Sequence, residues 1–97
     1  MIKGHKIEEK VTIDKFLEII KNYTEEQIIT TKHTFFRLSE KQRKIFKDTV
    51  IKEYITGKSP ILVGIQNNGL YAVFYDYGKG EAIRLILDIQ PNKIEIV

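Results

Sequence analysis

The sequence contains no cysteine, only two prolines and only six glycines among its 97 residues. The absence of cysteine excludes disulfide bridges, thiolate metal sites and a cysteine nucleophile. The scarcity of proline and glycine, together with 42% hydrophobic residues, is not typical of a disordered or low-complexity chain. We therefore expect one folded domain, residues 1–97, because a chain of this length is too short for two hydrophobic cores.

Long apolar runs are also lacking. No stretch approaches the roughly 18 apolar residues that a membrane-spanning helix needs. The first ten residues, MIKGHKIEEK, do not contain the apolar segment of a secretory signal. The expectation from these two observations is a soluble, cytoplasmic protein that makes no membrane contact.

Metal ligands are scarce as well. The two histidines, His5 and His33, lie 28 positions apart, and no paired zinc-ligand motif is present. The segment Gly78-Lys79-Gly80 lacks the other residues of a nucleotide-binding loop and predicts only a turn. We expect no metal and no cofactor.

The charge distribution is uneven. The net charge is +3, but residues 32–58 contain eight lysines and arginines against three acids, which leaves +5 in that segment. Such a segment favours a surface that faces phosphate groups. It is equally compatible with a solvated, lysine-rich helix face.

Helical patterns fill the first half of the chain. Thr12 or Asp14 can cap a helix that runs to about Asn22, and a short extended piece and a helical turn, about 32–38, follow. Ser39 caps the clearest helix, which we expect to run unbroken from 40 to about 56. Its inward face is predicted to carry Ile45, Phe46, Val50 and Tyr54.

The second half of the chain has strand patterns. The predicted strands, separated by Asn-, Gly- or Pro-containing turns, are 61–66, 70–75, 82–89 and 93–97. The predicted fold class is therefore α+β, with N-terminal helices packed on one face of a C-terminal four-stranded antiparallel β-meander. Because strand side chains alternate, the opposite face would present Arg84 to a ligand.

His33 and Arg37 form the most informative pair. If residues 32–38 are helical, their spacing of four places both side chains on one face. An imidazole can transfer protons near neutral pH, and a guanidinium can hold a phosphate through two hydrogen bonds. The pair suits RNA cleavage by the ribose 2′-hydroxyl without a metal ion. A backbone-bonded histidine and an ion pair between Arg37 and Glu40 are the structural alternatives.

The pattern His-x-x-x-Arg-Leu, followed by a helix and a β-meander, resembles small uncharacterised proteins related to the RelE/ParE toxins of the barnase-like ribonuclease fold. The resemblance covers residues 33–97. It implies a RelE-like domain with a basic cleft for RNA, and a protein antitoxin as partner. It also implies a catalytic set of His33, Arg37 and Arg84, with Tyr75 or Tyr77 as a stacking or acid group, whereas strand tyrosines can equally belong to the core.

Two other interpretations remain open. In the first, the protein binds nucleic acid without cleaving it, through a basic group on the long helix formed by Lys41, Arg43, Lys44 and Lys47. In the second, it is a protein-interaction module that forms a homodimer through an exposed C-terminal edge strand, residues 93–97.

Overall fold

A computed structural model describes residues 7–97, which form six strands, four α-helices and one 3₁₀ turn. The strands are β1 (Ile7–Val11), β2 (Ile28–Thr30), β3 (Leu62–Gln66), β4 (Tyr71–Gly78), β5 (Glu81–Ile89) and β6 (Ile94–Ile96). The helices are α1 (Ile13–Ile20), α2 (Lys32–Phe36), α3 (Glu40–Ile45) and α4 (Asp48–Gly57), and the 3₁₀ turn is Glu25–Gln27. The predicted α+β class is confirmed.

All six strands join one sheet in the order β1-β3-β4-β5-β6-β2. The four strands β3 to β6 form the predicted antiparallel meander. The predicted strand number is nevertheless wrong, because β1 adds to β3 in the antiparallel sense and β2 adds to β6 in the parallel sense. The sheet is therefore mixed.

The pairing of β2 with β6 also corrects the proposed dimer surface. β6 lies between β5 and β2, so its backbone groups have neighbours on both sides. The prediction that the C-terminal strand is an exposed edge is wrong, and with it the homodimer through that edge. The edges of the sheet are β1 and β2.

Two helices begin at the capping residues predicted from the sequence, Thr12 and Ser39. The Thr12 hydroxyl accepts a hydrogen bond from the Lys15 amide at the start of α1. At the start of α3, the Ser39 hydroxyl accepts a hydrogen bond from the Gln42 backbone N–H, and the Gln42 side-chain oxygen accepts one from the Ser39 backbone N–H. These two bonds form a capping box.

The long helix predicted after Ser39 is broken. α3 ends at Ile45, and α4 begins only at Asp48, because the backbone of Phe46 leaves the helical region with φ −95° and ψ 80°. The break turns the Phe46 ring into the core, between Tyr54 and Tyr77 at centroid distances of 5.2 and 5.1 Å. It leaves Ile45 42% exposed, so its predicted inward position is wrong.

The core lies between the helices and one face of the sheet. Fully or nearly fully buried side chains from both layers form one cluster, which includes Phe16, Ile20, Ile28, Phe46, Ile51, Ile55, Val63, Val73, Tyr75, Ile83, Leu85, Leu87, Ile94 and Ile96. The intervening strand residues point the other way, because side chains alternate along a strand. We call this the second face; it carries Gln66, Phe74, Arg84 and Ile86.

Across the described residues, no helix combines the length and the apolar character that crossing a membrane would require.

Candidate functional site

The position of α2 is fixed by hydrogen bonds to the end of β6. The hydroxyl groups of Thr31 and Thr34 both donate to the Ile96 carbonyl, at 2.8 and 2.6 Å. Thr34 is almost completely buried, with 2% of its surface exposed. The parallel β2–β6 pair and these two bonds therefore hold α2 beside the carboxyl end of β6.

The other end of α2 is held by Arg43. Its Nε donates to the carbonyl oxygens of Phe35 and Leu38, at 2.8 and 3.1 Å. Phe35 lies in the last turn of α2 and Leu38 lies in the turn that follows, so this side chain ties the C-terminal end of the helix to the turn into α3. The Arg37 amide still bonds to the His33 carbonyl, at 3.1 Å, which keeps the two residues one helical turn apart as predicted.

Arg84 on β5 is held by its neighbours on the second face. Its Nη2 donates to the Gln66 side-chain oxygen at 2.5 Å, and its guanidinium carbon lies 5.8 Å from the centre of the Phe74 ring. The side-chain NH₂ group of Gln66 in turn donates to the side-chain oxygen of Asn68 at 3.1 Å. Gln66 is buried, with 4% of its surface exposed. A guanidinium has five N–H donors, so most of those of Arg84 remain available to a ligand.

Arg37 and Arg84 line the same cavity, which has a volume of about 240 Å³. Within residues 7–97 its third lining residue is Ile86, and no carboxylate lines it. We call this the arginine cavity. In the same part of the chain the Arg37 side chain makes no hydrogen bond or ion pair, so the alternative pairing with Glu40 is not formed. Two guanidinium groups without carboxylate partners suit an anion such as phosphate.

His33 is exposed and lies outside the described lining of the arginine cavity. Its imidazole makes no hydrogen bond with residues 7–97, so the backbone-bonded alternative is not observed. Residues four apart on a helix have Cβ atoms about 5–6 Å apart. His33 therefore lies beside Arg37 without being buried, in a position accessible to a ligand. The other histidine, His5, is outside the described residues.

Tyr75 is not part of this site. It is 1% exposed and lies in the core, on the sheet face opposite to Arg84. Its hydroxyl is buried without a hydrogen-bond partner among the described residues, and burial raises its pKa above the usual range. In this structure Tyr75 cannot reach a ligand at the arginine cavity.

The four basic residues predicted to bind nucleic acid do not form a uniform group. Lys41 forms an ion pair with Glu81 at 2.7 Å, and this hydrogen bond lowers the pKa of Glu81. Arg43 holds the end of α2, as described above. Of these four residues, only Lys44 and Lys47 are exposed and have no side-chain partner within residues 7–97.

Two residues beside the arginines were not predicted from the sequence: Gln66, which bonds to Arg84, and Phe36, which precedes Arg37. Phe36 is 69% exposed, next to Arg37 in the chain. The exposure of one phenylalanine could have been predicted from the pair Phe35-Phe36. Adjacent residues of a helix point about 100° apart, so both rings of a short helix cannot face the protein core. No sequence signal connects Gln66 with Arg84.

We expect the substitution Tyr75→Phe to raise the free energy of unfolding by about 1–2 kcal/mol, because a buried hydroxyl without a partner is destabilising. Tyr77→Phe is the matched control, since the Tyr77 hydroxyl accepts a hydrogen bond from the Gln42 amide at 3.2 Å. That control should be destabilised by about 1 kcal/mol. Urea denaturation measures both, and a destabilised Tyr75→Phe variant would show that the hydroxyl has a partner in solution.

The site lies in the part of the chain that a family comparison covers. The sequence profile described as the MJ0788 family matches residues 14–87. The chain belongs to the MJ0788 family. The MJ0788 match runs from α1 to β5 and contains His33, Phe36, Arg37 and Arg84.

Searches of curated proteins and of solved structures found no match to this chain. The match to the MJ0788 family does not bear on the resemblance to the RelE/ParE toxins, which stays a prediction.

Proposed function

We propose that this protein binds RNA by holding a backbone phosphate between Arg37 and Arg84. The observation that carries the proposal is the arginine cavity, in which residues from two distant segments of the chain line one space. Arg84 is anchored by Gln66 and Phe74, whereas Arg37 has no partner within residues 7–97. An anchored and an unpaired guanidinium can close on a phosphate from two sides.

A polymer of phosphates is favoured over a small phosphate ester by the charge of the segment that contains Arg37. The segment 32–58, with its excess of +5, contains α2 and the two helices that follow it. Lys44 and Lys47 are exposed there and free to meet further phosphates. Such a field attracts a polyanion over distances longer than a hydrogen bond.

A second function, metal-independent cleavage of the bound RNA, is favoured by the exposed imidazole of His33 one turn before Arg37. In this reaction His33 removes the proton from a ribose 2′-hydroxyl, and the 2′-oxygen attacks the adjacent phosphorus. The bond from phosphorus to the 5′-oxygen breaks, the leaving oxygen takes a proton from water, and a 2′,3′-cyclic phosphate remains. Arg37 and Arg84 stabilise the negative charge of the pentacovalent intermediate.

The resemblance to RelE/ParE toxins adds a cellular role to this second function. In that role the cleavage of cytoplasmic RNA would be toxic, and an antitoxin protein would cover the site. The basic surface around Arg37 favours an acidic antitoxin segment. This partner remains a prediction from the resemblance.

We expect the single substitutions Arg37→Ala and Arg84→Ala each to weaken RNA binding by about tenfold or more, because hydrogen bonds to charged groups contribute about 1.5–3 kcal/mol. The measurement is fluorescence anisotropy with a labelled RNA of mixed sequence at several salt concentrations. The substitution Lys21→Ala is the matched control. It also removes one positive charge, but Lys21 lies at the end of α1 and does not line the cavity.

The control variant should bind RNA like the unchanged protein. Equal affinities for Arg37→Ala, Arg84→Ala and Lys21→Ala would show that the arginine cavity is not the phosphate site. Failure of the unchanged protein to bind RNA at low salt would reject the proposed function altogether.

A further inference from the structure

Phe36, the last residue of α2, exposes an aromatic ring that the fold does not use. Among the large apolar side chains of the described residues it has the highest exposure, 69%. The adjacent Phe35, in contrast, packs against the core. A ligand that covers a ring of this size would gain the free energy of burying it.

The neighbours of Phe36 carry positive or proton-transferring groups. His33 precedes Phe36 by three positions on α2, so the two side chains lie on the same side of the helix. Arg37 follows Phe36 directly as the residue that ends the helix. No aromatic or cation–π contact to Phe36 occurs within residues 7–97. Both faces of the ring are therefore free of other rings and cations in this part of the chain.

We propose that Phe36 stacks on an unpaired base of the RNA whose phosphate is held by Arg37 and Arg84, which makes single-stranded RNA the substrate class. This inference rests on the proposed function. Exposed aromatic side chains bind nucleic acid by stacking on bases that lie outside a helix. Bases of a duplex are already stacked on each other and cannot reach the ring, although the duplex offers the same phosphates.

The charge beside the ring favours a nucleotide over an apolar protein partner. The centre of a protein interface is depleted of charged residues, lysine among them. On α2 the exposed Phe36 is instead bordered by Lys32, His33 and Arg37. A nucleotide matches this arrangement, because it presents a flat base and a phosphate to neighbouring positions.

The test compares three ligands at one salt concentration by fluorescence anisotropy. They are a short single-stranded RNA, the same strand annealed to its complement, and a strand of equal length whose bases are replaced by abasic sites. The proteins are the unchanged chain, Phe36→Leu, which keeps an apolar side chain without a ring, and Phe36→Tyr, which keeps the ring. Ile61→Ala is the control, because Ile61 is also an exposed apolar residue, at 55%.

We expect Phe36→Leu to weaken binding of the single strand by between about fivefold and 100-fold, the range that loss of one stacked base produces. Phe36→Tyr and Ile61→Ala should bind the single strand like the unchanged chain. The abasic strand should bind weakly and equally to all four proteins, because only its phosphates are recognised. The affinity for the duplex should not change in Phe36→Leu, because only the phosphates of the duplex are recognised.

Two other results would overturn the inference, and they are distinguishable. If the unchanged chain binds the single strand and Phe36→Leu binds it equally well, stacking on Phe36 is excluded while the phosphate site stands. If the unchanged chain binds none of the three ligands, the proposed RNA function fails and the stacking fails with it. Circular dichroism of each variant verifies that the fold is retained, which the exposure of Phe36 leads us to expect.

Discussion

The substitution His33→Ala is expected to slow RNA cleavage by about 10²- to 10⁴-fold, the usual contribution of a positioned general base. RNA affinity should stay close to that of the unchanged protein, because His33 lies outside the described lining of the arginine cavity and contributes no phosphate contact there. The imidazole is exposed, so its removal should not disturb the core. Loss of rate without loss of binding is the signature of a group that acts only in the chemical step.

Single-turnover cleavage of a labelled RNA, in the presence of a metal chelator, measures this effect. Mass spectrometry of the products should find a 2′,3′-cyclic phosphate on one fragment and a 5′-hydroxyl on the other. Lys32→Ala is the matched control, because Lys32 precedes His33 on the same exposed helix start. Equal cleavage rates for His33→Ala and the unchanged protein would remove His33 from the mechanism, and products with other ends would exclude attack by the 2′-hydroxyl.

The substitution of phenylalanine by alanine should have a large effect on stability at Phe46 and almost none at Phe36. Phe46→Ala is expected to lower the free energy of unfolding by about 3–5 kcal/mol, since it empties a fully buried site. The Phe46 ring is 0% exposed and makes edge-on contacts with Tyr54 and Tyr77. Phe36→Ala should change stability by less than about 0.5 kcal/mol, as for other exposed positions.

Urea denaturation followed by circular dichroism gives both values under the same conditions. A small effect of Phe46→Ala would mean that its ring is not packed between the tyrosines. A large effect of Phe36→Ala would mean that the Phe36 ring is buried. That result would remove the basis for a stacking role.

The features of the fold that could be predicted from the sequence are those with local causes. The caps at Thr12 and Ser39 follow from side chains that bond to amides three residues ahead. The turn at 67–69, where Gly69 has φ +85°, follows from residues that tolerate positive φ. These signals act within a few residues, so their outcome depends little on the rest of the chain.

Features that depend on distant parts of the chain were missed. β1 has three charged residues among five, and four of its side chains are exposed, so it lacks the alternation of a half-buried strand. The break after α3 has no glycine or proline to signal it. It arises because the Phe46 ring packs between residues of α4 and β4, a tertiary contact that overrides the helical pattern.

The residues of the candidate site could be predicted from the sequence one by one, but their assembly into one site could not. The proximity of His33 and Arg37 could be predicted from their spacing, because it depends on one helix alone. Whether Arg84 lies nearby depends on the parallel β2–β6 pair and on two threonine hydroxyls that bond to the Ile96 carbonyl. The sequence also could not distinguish the buried Tyr75 from an exposed aromatic residue, since alternation along a strand does not identify which face is covered.

A double-mutant cycle on RNA affinity tests the central claim, that Arg37 and Arg84 hold one phosphate together. The dissociation constants of the unchanged protein, the two single alanine variants and the double variant are measured at one salt concentration. If both side chains contact the same phosphate, the double variant should lose less affinity than the product of the single losses, with a coupling energy between about 0.5 and 3 kcal/mol. Single losses that multiply in the double variant would show that the two arginines act independently, and the shared phosphate site would be contradicted.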